Sequence, residues 1–415
     1  MKNNWRLLVF GVIHSAILLL LFNCGLYHNS ALTGDVKLFF EYSSKIFQGL
    51  LPYRNFTVEY PPLALVFFTI PRLAASTIDG YCYAFAVEIL VFDLVALYLL
   101  DKLSRIINVK PTITLIVYTL LILVIGPLLI YRFDLIPAVM VLASLYFLSQ
   151  KKYGLAWGML AVGVITKIYP VVIAPLFLIY ELSQRGHKET LKEIAYCALL
   201  TEIIIAPFFL LSPSGFVKAF MLQMQRGLQL ESTYSSFILL LQNLGLTNVY
   251  IKTTITPLAT SNIISGAASV LVKVAPVIMA AALLSLYWLF YRRYWDTFKT
   301  SFSAGQEDAA AIIYYAFLAV LIFVLTTVVF SPQYLIWFLP IAPMITRQKK
   351  WVIWPALVIT ALLTYYEFPL HYSLLQAGDS KVVYVLAARN ILLIALVLWL
   401  IEWGTIKRKT SYNKQ

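Results

Sequence analysis

The sequence predicts an all-α polytopic transmembrane bundle of about 10–13 spans, with an amphipathic surface helix in its first outer loop. Three observations carry this. First, 61% of the 415 residues are apolar and only 12% are charged, where a soluble domain runs at roughly 45–50% and about 25%. Second, the apolar residues fall in long continuous runs, and mean hydropathy is +0.82. At about 20 residues per span, that supply suffices for roughly a dozen crossings. Third, the runs do not alternate apolar with polar, which excludes an outer-membrane barrel. A soluble enzyme, a disordered chain and a disulfide scaffold are excluded by the same composition. The net charge of +13 does not point to nucleic acid, because most of it lies in short segments between apolar runs, where it reports topology.

The expected spans are Trp5–Tyr27, Gly80–Leu100, Pro111–Tyr131, Asp134–Ser149, Tyr153–Thr166, Tyr169–Leu182, Ile194–Leu211, Ser265–Tyr291, Ala309–Phe330, Gln333–Ile345, Trp351–Tyr372 and Val382–Trp403. Several are shorter than a straight crossing needs. They come in pairs that meet at polar residues or proline: Arg132 with Asp134, Lys167 with Pro170, and Ser331-Pro332-Gln333. Such pairs read as short helices meeting near the outer leaflet. With the N-terminus inside, every inner segment is basic and 20 of the 32 Lys and Arg residues lie on the inner side, so both termini are expected in the cytoplasm. The first span is too long for a signal-peptide core and no small-residue cleavage site follows, so it reads as an uncleaved helix of a cell-membrane protein. Cys24, Cys82 and Cys197 show no pairing or metal spacing. Glu88, Asp93 and Glu202, within apolar runs, read as packing pairs.

The whole chain, residues 1–415, reads as one membrane domain with two long outer segments, 28–79 and 212–264. In the first, Thr33-Gly34-Asp35 precedes a helical pattern. Val36, Phe39, Phe40, Ser43, Ile46, Phe47 and Leu50 share one face, and Lys37, Glu41, Ser44 and Lys45 lie opposite. Gly49 ends the helix. A helix of this kind lies flat on a membrane and would hold Asp35 near the headgroups. On sequence grounds Asp35 is also placed where a helix cap belongs. Glu59-Tyr60-Pro61-Pro62 and the run Leu63–Ile70 follow, the run too short to span. The second segment carries Arg226-Gly227-Leu228-Gln229-Leu230-Glu231-Ser232, polar groups of both signs around a glycine, as a carbohydrate or phosphate site would need.

These features resemble the GT-C superfamily of integral-membrane glycosyltransferases, and most closely glycosyltransferase family 87. The residues that carry the resemblance are Gly34-Asp35, Gly49-Leu50-Leu51-Pro52-Tyr53, Glu59-Tyr60-Pro61-Pro62, Arg132-Phe133-Asp134, Lys167-Ile168-Tyr169-Pro170, Arg226 to Ser232, and Ser331-Pro332-Gln333-Tyr334. The resemblance implies a GT-C bundle whose active site faces outward. It implies a polyprenyl-phosphate sugar as donor, a lipid-linked or glycan acceptor, transfer with inversion, and mannose as the sugar. Asp35 is the implied catalytic acid, in the first outer loop.

The chemistry fits such residues. A carboxylate activates the acceptor hydroxyl and stabilises oxocarbenium-like charge. The leaving phosphate gains negative charge, which guanidinium and ammonium groups meet. Arg132, Lys167 and Arg226 are the candidates for the donor phosphate, cations without an evident full set of acids. At membrane depth a lone Lys costs roughly 2.5–3.5 kcal/mol, and pairing of Arg132 with neighbouring Asp134 is the structural alternative. Glu59, Tyr60, Asp134, Gln229, Glu231 and Gln333 are the candidates for substrate contact. The four histidines, His14, His28, His187 and His371, lack ligand spacing, so no metal and no cofactor is assigned. The expected partners are the lipid donor, the acceptor and the bilayer. The alternative function is a polytopic transporter or flippase of a lipid-linked sugar, although the halves show no internal repeat.

Overall fold

The computed structural model describes residues 5–23, 30–254, 260–299, 306–345 and 350–412. Lys2, Cys24, Tyr27, His28, Arg347, Lys349 and Lys414 lie outside them. The elements in order are helices α1 (Trp5–Asn23), α2 (Ser30–Phe47), α3 (Ala64–Ala74), α4 (Ile78–Ile106), α5 (Pro111–Ile130), α6 (Leu135–Ser149), α7 (Tyr153–Thr166), α8 (Ala174–Arg185), α9 (His187–Leu211) and α10 (Pro213–Met224). Then come strand β1 (Leu228–Gln229), α11 (Thr233–Asn243), β2 (Tyr250–Thr254), β3 (Thr260–Ile264), α12 (Gly266–Lys299) and α13 (Gln306–Thr326). The last are α14 (Leu335–Phe338), α15 (Lys350–Tyr365), α16 (Tyr372–Gln376) and α17 (Ser380–Tyr412). Among the described residues, eight helices are long and apolar enough to cross a membrane: α1, α4, α5, α9, α12, α13, α15 and α17. The chain is an all-α polytopic bundle with one small sheet.

Four expected spans are not straight crossings. Helices α6 and α7, of 15 and 14 residues, reach only about 20 Å at 1.5 Å per residue, against a hydrocarbon thickness of about 30 Å. The expected span 169–182 opens as a 3₁₀ turn, Tyr169–Ile173, before α8. The expected span 333–345 is broken into a 3₁₀ turn, the four-residue α14 and another 3₁₀ turn at Ala342–Met344. Pro340 and Pro343 each remove an N–H donor and crowd the carbonyl four residues back. Residues 335–345 are all buried, so this irregular backbone meets protein rather than lipid, the only place a membrane protein tolerates it.

The chain divides into two compact units. The first comprises Met1–Arg226, Leu284–Val320 and Gln333–Thr346; the second comprises Gly227–Leu283, Leu321–Pro332 and Arg347–Gln415. In the first unit, α6 and α7 form a hairpin whose turn carries Lys151 in the left-handed region (φ 59°). Of the two acids expected to pair within the apolar run of α4, Asp93 accepts from Tyr118 (2.8 Å) and faces His14 Nδ1 at 2.6 Å, whereas the carboxyl oxygens of buried Glu88 have no hydrogen-bond partner among the described residues.

Helix α2 begins at Ser30, a turn earlier than the sequence suggests. Asp35 therefore lies within the helix and is not its cap. Leu32, Thr33, Val36, Phe39, Tyr42 and Ser43 are buried, and the earlier start extends this stripe backwards. At the other end Phe47 and Leu50 are exposed, contrary to expectation, while Ser44 is half-buried. Gly49 takes φ 80° and turns the chain away, so Leu50 no longer continues the helical face. Phe39 stacks on Phe68 of α3 at 4.0 Å, and Phe133 and Tyr60 meet edge to face at 5.2 Å. This aromatic pack seats α2 and the segment that follows it on the α5–α6 junction.

Tyr53 holds a left-handed conformation (φ 64°) that a bulky residue adopts only when its surroundings impose it. Its hydroxyl donates to the Tyr60 carbonyl at 2.6 Å, and its ring lies against Phe208 and Phe216. Gly215 of α10 sits directly on this turn, and a Cβ there would overlap the Tyr53 carbonyl oxygen. Backbone cannot swing aside as a side-chain tip does. Gly215→Ala is expected to cost about 1–3 kcal/mol, the usual penalty of overpacking, read as a lower thermal midpoint in detergent. An unchanged midpoint would show that the turn yields freely.

In the second unit the three strands run in the order β1-β3-β2, all antiparallel, with Leu228 and Ile251 both opposite Ile263. The sheet was not apparent in the sequence, where the segment reads as polar loop. Leu228, Leu230, Ile238, Leu239, Ile263 and Leu386 form its buried core. Ser232 caps α11 by accepting from the Ser235 N–H at 3.1 Å.

Candidate active site

The α6–α7 hairpin returns the chain to its starting end. Asp134 precedes α6 and Lys167 follows α7, so residues 33 positions apart meet: Lys167 Nζ donates to Asp134 Oδ1 at 2.6 Å. The same oxygen accepts the Trp337 indole N–H at 2.5 Å. Trp337 is sandwiched between Tyr334 (3.7 Å) and Tyr169 (4.2 Å). The Lys167 ammonium lies over Phe133, Trp337 and Tyr334 at 4.6, 5.2 and 5.7 Å. An ammonium so enclosed exchanges water for ring faces and one carboxylate.

Arg132 follows α5. Its Nη1 donates to the carbonyls of Leu32 (2.7 Å) and Tyr131 (2.9 Å), and its Nε lies 3.2 Å from Asp35 Oδ2. The guanidinium thus joins α2 to the α5–α6 junction and orients Asp35. The expected alternative, Arg132 with Asp134, is not the pairing adopted: Asp134 goes to Lys167 and Arg132 to Asp35. Chain proximity did not decide it, because the hairpin brings Lys167 onto Asp134 first.

Arg226 follows α10, and its Nη2 lies 3.2 Å from Glu59 Oε2. Gln223 Nε2 donates to the Glu59 carbonyl at 2.8 Å, which ties the Glu59 backbone to α10. Burial pushes the Glu59 carboxyl up to about 7; Arg226 pulls against it and the charge of Asp35 adds to it. Burial also pushes the Tyr60 phenol up, with Asp35 and Glu59 adding to the effect. Gln333 lies in the 3₁₀ turn Pro332–Tyr334, beside the stacked rings. The three cations therefore each have an acid, contrary to the expectation that they lack a full set.

Asp35, Glu59, Tyr60, Arg132, Asp134, Lys167, Arg226 and Gln333 all belong to the first unit, whereas Gln229 and Glu231 belong to the second. Glu231 is part of a buried network there. Arg389 Nη2 donates to the Glu231 carbonyl at 2.6 Å, Arg389 Nη1 lies 3.2 Å from Glu367 Oε2, and the guanidinium packs over Phe330 at 4.3 Å. Burial, then the charge of Glu367, pushes the Glu231 carboxyl up to about 8. Gln229 lies in β1, its backbone N–H donating to the Val328 carbonyl at 3.0 Å.

Sequence reasoning missed Trp337, Arg389 and Glu367. Arg389 had a usable signal, since a lone Arg in an apolar span is as costly as the Lys that was noticed. Trp337 had none, because Tyr334, Trp337 and Phe338 read as ordinary core.

No family model and no curated protein matches the chain. Among solved structures, the chain is similar to ArnT from Cupriavidus metallidurans, whose crystal structure is bound to undecaprenyl phosphate. The likeness covers 99% of this chain and 79% of that one, with a TM-score of 0.48 and 12% identity.

Within the first unit, side-chain exposure separates the three acids. Asp134 is 1% exposed and Glu59 11%, but Asp35 is 30% exposed. Asp35 is the carboxylate of this cluster that an outside molecule can reach.

Proposed function

We propose that this protein is a membrane glycosyltransferase of the GT-C type, which moves a sugar from a polyprenyl-phosphate donor to a hydroxyl of a lipid-linked or glycan acceptor. The observation that carries this reading is the reachable Asp35 beside Arg132 (3.2 Å) in a cluster that holds two further cations, Lys167 and Arg226. The motif resemblance supports mannose as the sugar and the extracytoplasmic side as the place of reaction.

Asp35 takes the proton of the acceptor hydroxyl as its oxygen attacks the anomeric carbon. The bond from that carbon to the phosphate oxygen breaks, and the phosphate leaves with the electron pair. Attack opposite the leaving group inverts the centre. The guanidinium of Arg226 is the group suited to meet the departing phosphate with charge-assisted bonds, while Arg132 holds Asp35 in place beside it. Asp134, held by Lys167 and Trp337, keeps the junction in place. A phosphate monoester asks for less countercharge than a diphosphate, so this chemistry makes no demand for a metal.

The test incubates the purified full-length protein with radiolabelled polyprenyl-phosphate sugars and membrane lipids. A labelled lipid or glycan product is expected, with the mannosyl donor best. No product from any polyprenyl-phosphate sugar, alongside movement of intact donor between leaflets of a vesicle, would replace this reading with a flippase.

A further inference from the structure

In the first unit's cluster three cations face three acids: Arg132 with Asp35, Lys167 with Asp134, Arg226 with Glu59. With every group ionised, the charges cancel. A phosphate ester arriving there adds a negative charge. To be neutralised, that charge needs a cation freed from its carboxylate, and a carboxylate left behind out of water is strongly disfavoured unless it takes up a proton.

Two of the pairs are locked. Asp134 accepts from Lys167 and Trp337 on one oxygen, and the ammonium is ringed by Phe133, Tyr334 and Trp337. Arg132 is bound to two backbone carbonyls as well as to Asp35. Arg226 is held by far less. Its contact with Glu59 is as long as that of Arg132 with Asp35, at 3.2 Å, but among the described residues its guanidinium donates to no backbone carbonyl and its buried Nε has no hydrogen-bond partner. The backbone of the opposing residue is held by Gln223 on the Glu59 carbonyl and by Tyr53 on the next carbonyl, that of Tyr60. Only the two side chains need to move.

Resting on the donor assignment above, we propose that Arg226 exchanges Glu59 for the donor phosphate, and that Glu59 takes up one proton from solvent as it is released. The site thereby becomes cationic only when the phosphate is present. No covalent bond changes in this step; a proton passes from water or buffer to the carboxylate.

The charged and titratable groups around Glu59 favour the uptake. From α2, Asp35 and Tyr42 face it; Lys167 acts from the end of α7, Arg226 from beyond α10, and Tyr60 from its own loop. Burial already pushes the carboxyl up to about 7, Asp35 adds to it, and Arg226 is the largest opposing pull. As Arg226 turns to the phosphate, that pull weakens and the proton is bound more firmly.

The test uses a methyl polyprenyl phosphodiester, whose single charge stays constant across neutral pH, so any pH response is the protein's. Its affinity for the full-length protein in detergent is measured at about pH 6 and about pH 8, with proton uptake read calorimetrically in two buffers of different ionisation heat. Binding is expected to weaken about tenfold between the two pH values, as one coupled proton near neutrality requires, and the wild type is expected to take up protons on binding. Glu59→Gln should bind with no pH response and match or exceed the wild type's acid affinity. A slope that persists in Glu59→Gln, or binding by the wild type without proton uptake at about pH 8, overturns the exchange and leaves the donor assignment standing. A wild type that does not bind the lipid at either pH overturns the donor assignment, and the exchange with it.

Discussion

Asp35→Asn is expected to lose about 10²–10⁴-fold in transfer rate, the usual worth of a positioned general base, while staying folded. The asparagine keeps the size of the aspartate but can neither take a proton nor carry charge. Asp35 lies inside α2, which begins at Ser30, so no helix cap is lost. Arg132 keeps its bonds to the Leu32 and Tyr131 carbonyls, so the α2 junction survives. Asp35 is 30% exposed but Arg132 only 5%; the asparagine oxygen still faces the guanidinium, which limits the cost of taking the charge from a buried cation's partner. The checks are initial transfer rate, thermal midpoint and donor affinity on the same preparation. Near-normal turnover in a stable variant would make Asp35 an anchor for Arg132 only, and Glu59 would be the next acid to test.

Arg389→Met should destabilise the second unit by about 3–5 kcal/mol, the cost of leaving a buried charge without its partner. Arg389 and Glu367 are both 0% exposed in their side chains. Two acids, Glu231 and Glu367, face this one cation, and the balance holds because burial pushes Glu231 up to about 8. Burial thus favours the protonated form of Glu231, and the carboxylate that Arg389 Nη1 meets is that of Glu367, at 3.2 Å. Methionine fills much of the volume but bonds neither the Glu231 carbonyl nor Glu367. The double change Arg389→Met with Glu367→Met, which removes both charges, should recover much of the loss. Thermal unfolding of the single and double variants in one detergent decides it. Equal losses in both would place the cost in packing over Phe330 and not in charge.

The same network sets a pH dependence. A glutamate whose folded value is raised from the ordinary 4.5 to about 8 binds more protons folded than unfolded between those limits. Its contribution to stability is fully present below about 4.5, is lost as pH rises through the folded value near 8, and then levels off.

Much of the scaffold was legible along the chain. Tyr153–Thr166 is the same in the sequence reading and in α7, and Pro111 opens α5 as expected of proline in a first turn. Gly49 ends α2 in the left-handed conformation that glycine adopts at little cost. These features rest on local physics: apolar period, turn residues and the length needed to cross a bilayer. Where they misled, a neighbour in space had overruled the local signal. The apolar run 333–345 looks like a span but is broken into short turns around the four-residue α14, buried from 335 onward. The polar stretch around Gln229 looks like loop but pairs with β3, a partner more than thirty residues onward that no periodicity announces.

The sequence by itself determined that this is a helical membrane protein, which residues are charged where charge is costly, and that short helices break at Arg132, Asp134 and Lys167. Only the tertiary structure decided how those charges are shared. Glu59 and Arg226 are 167 residues apart, and Lys167 and Asp134 are 33 apart. A charge in a poorly hydrated place must find an opposite charge, but composition says only that it needs one. Which one it finds depends on the packing of whole helices: the hairpin that carries Lys167 back to Asp134, the aromatic pack that sets α2 beside Arg132, and the α10 turn that leaves Arg226 on Glu59.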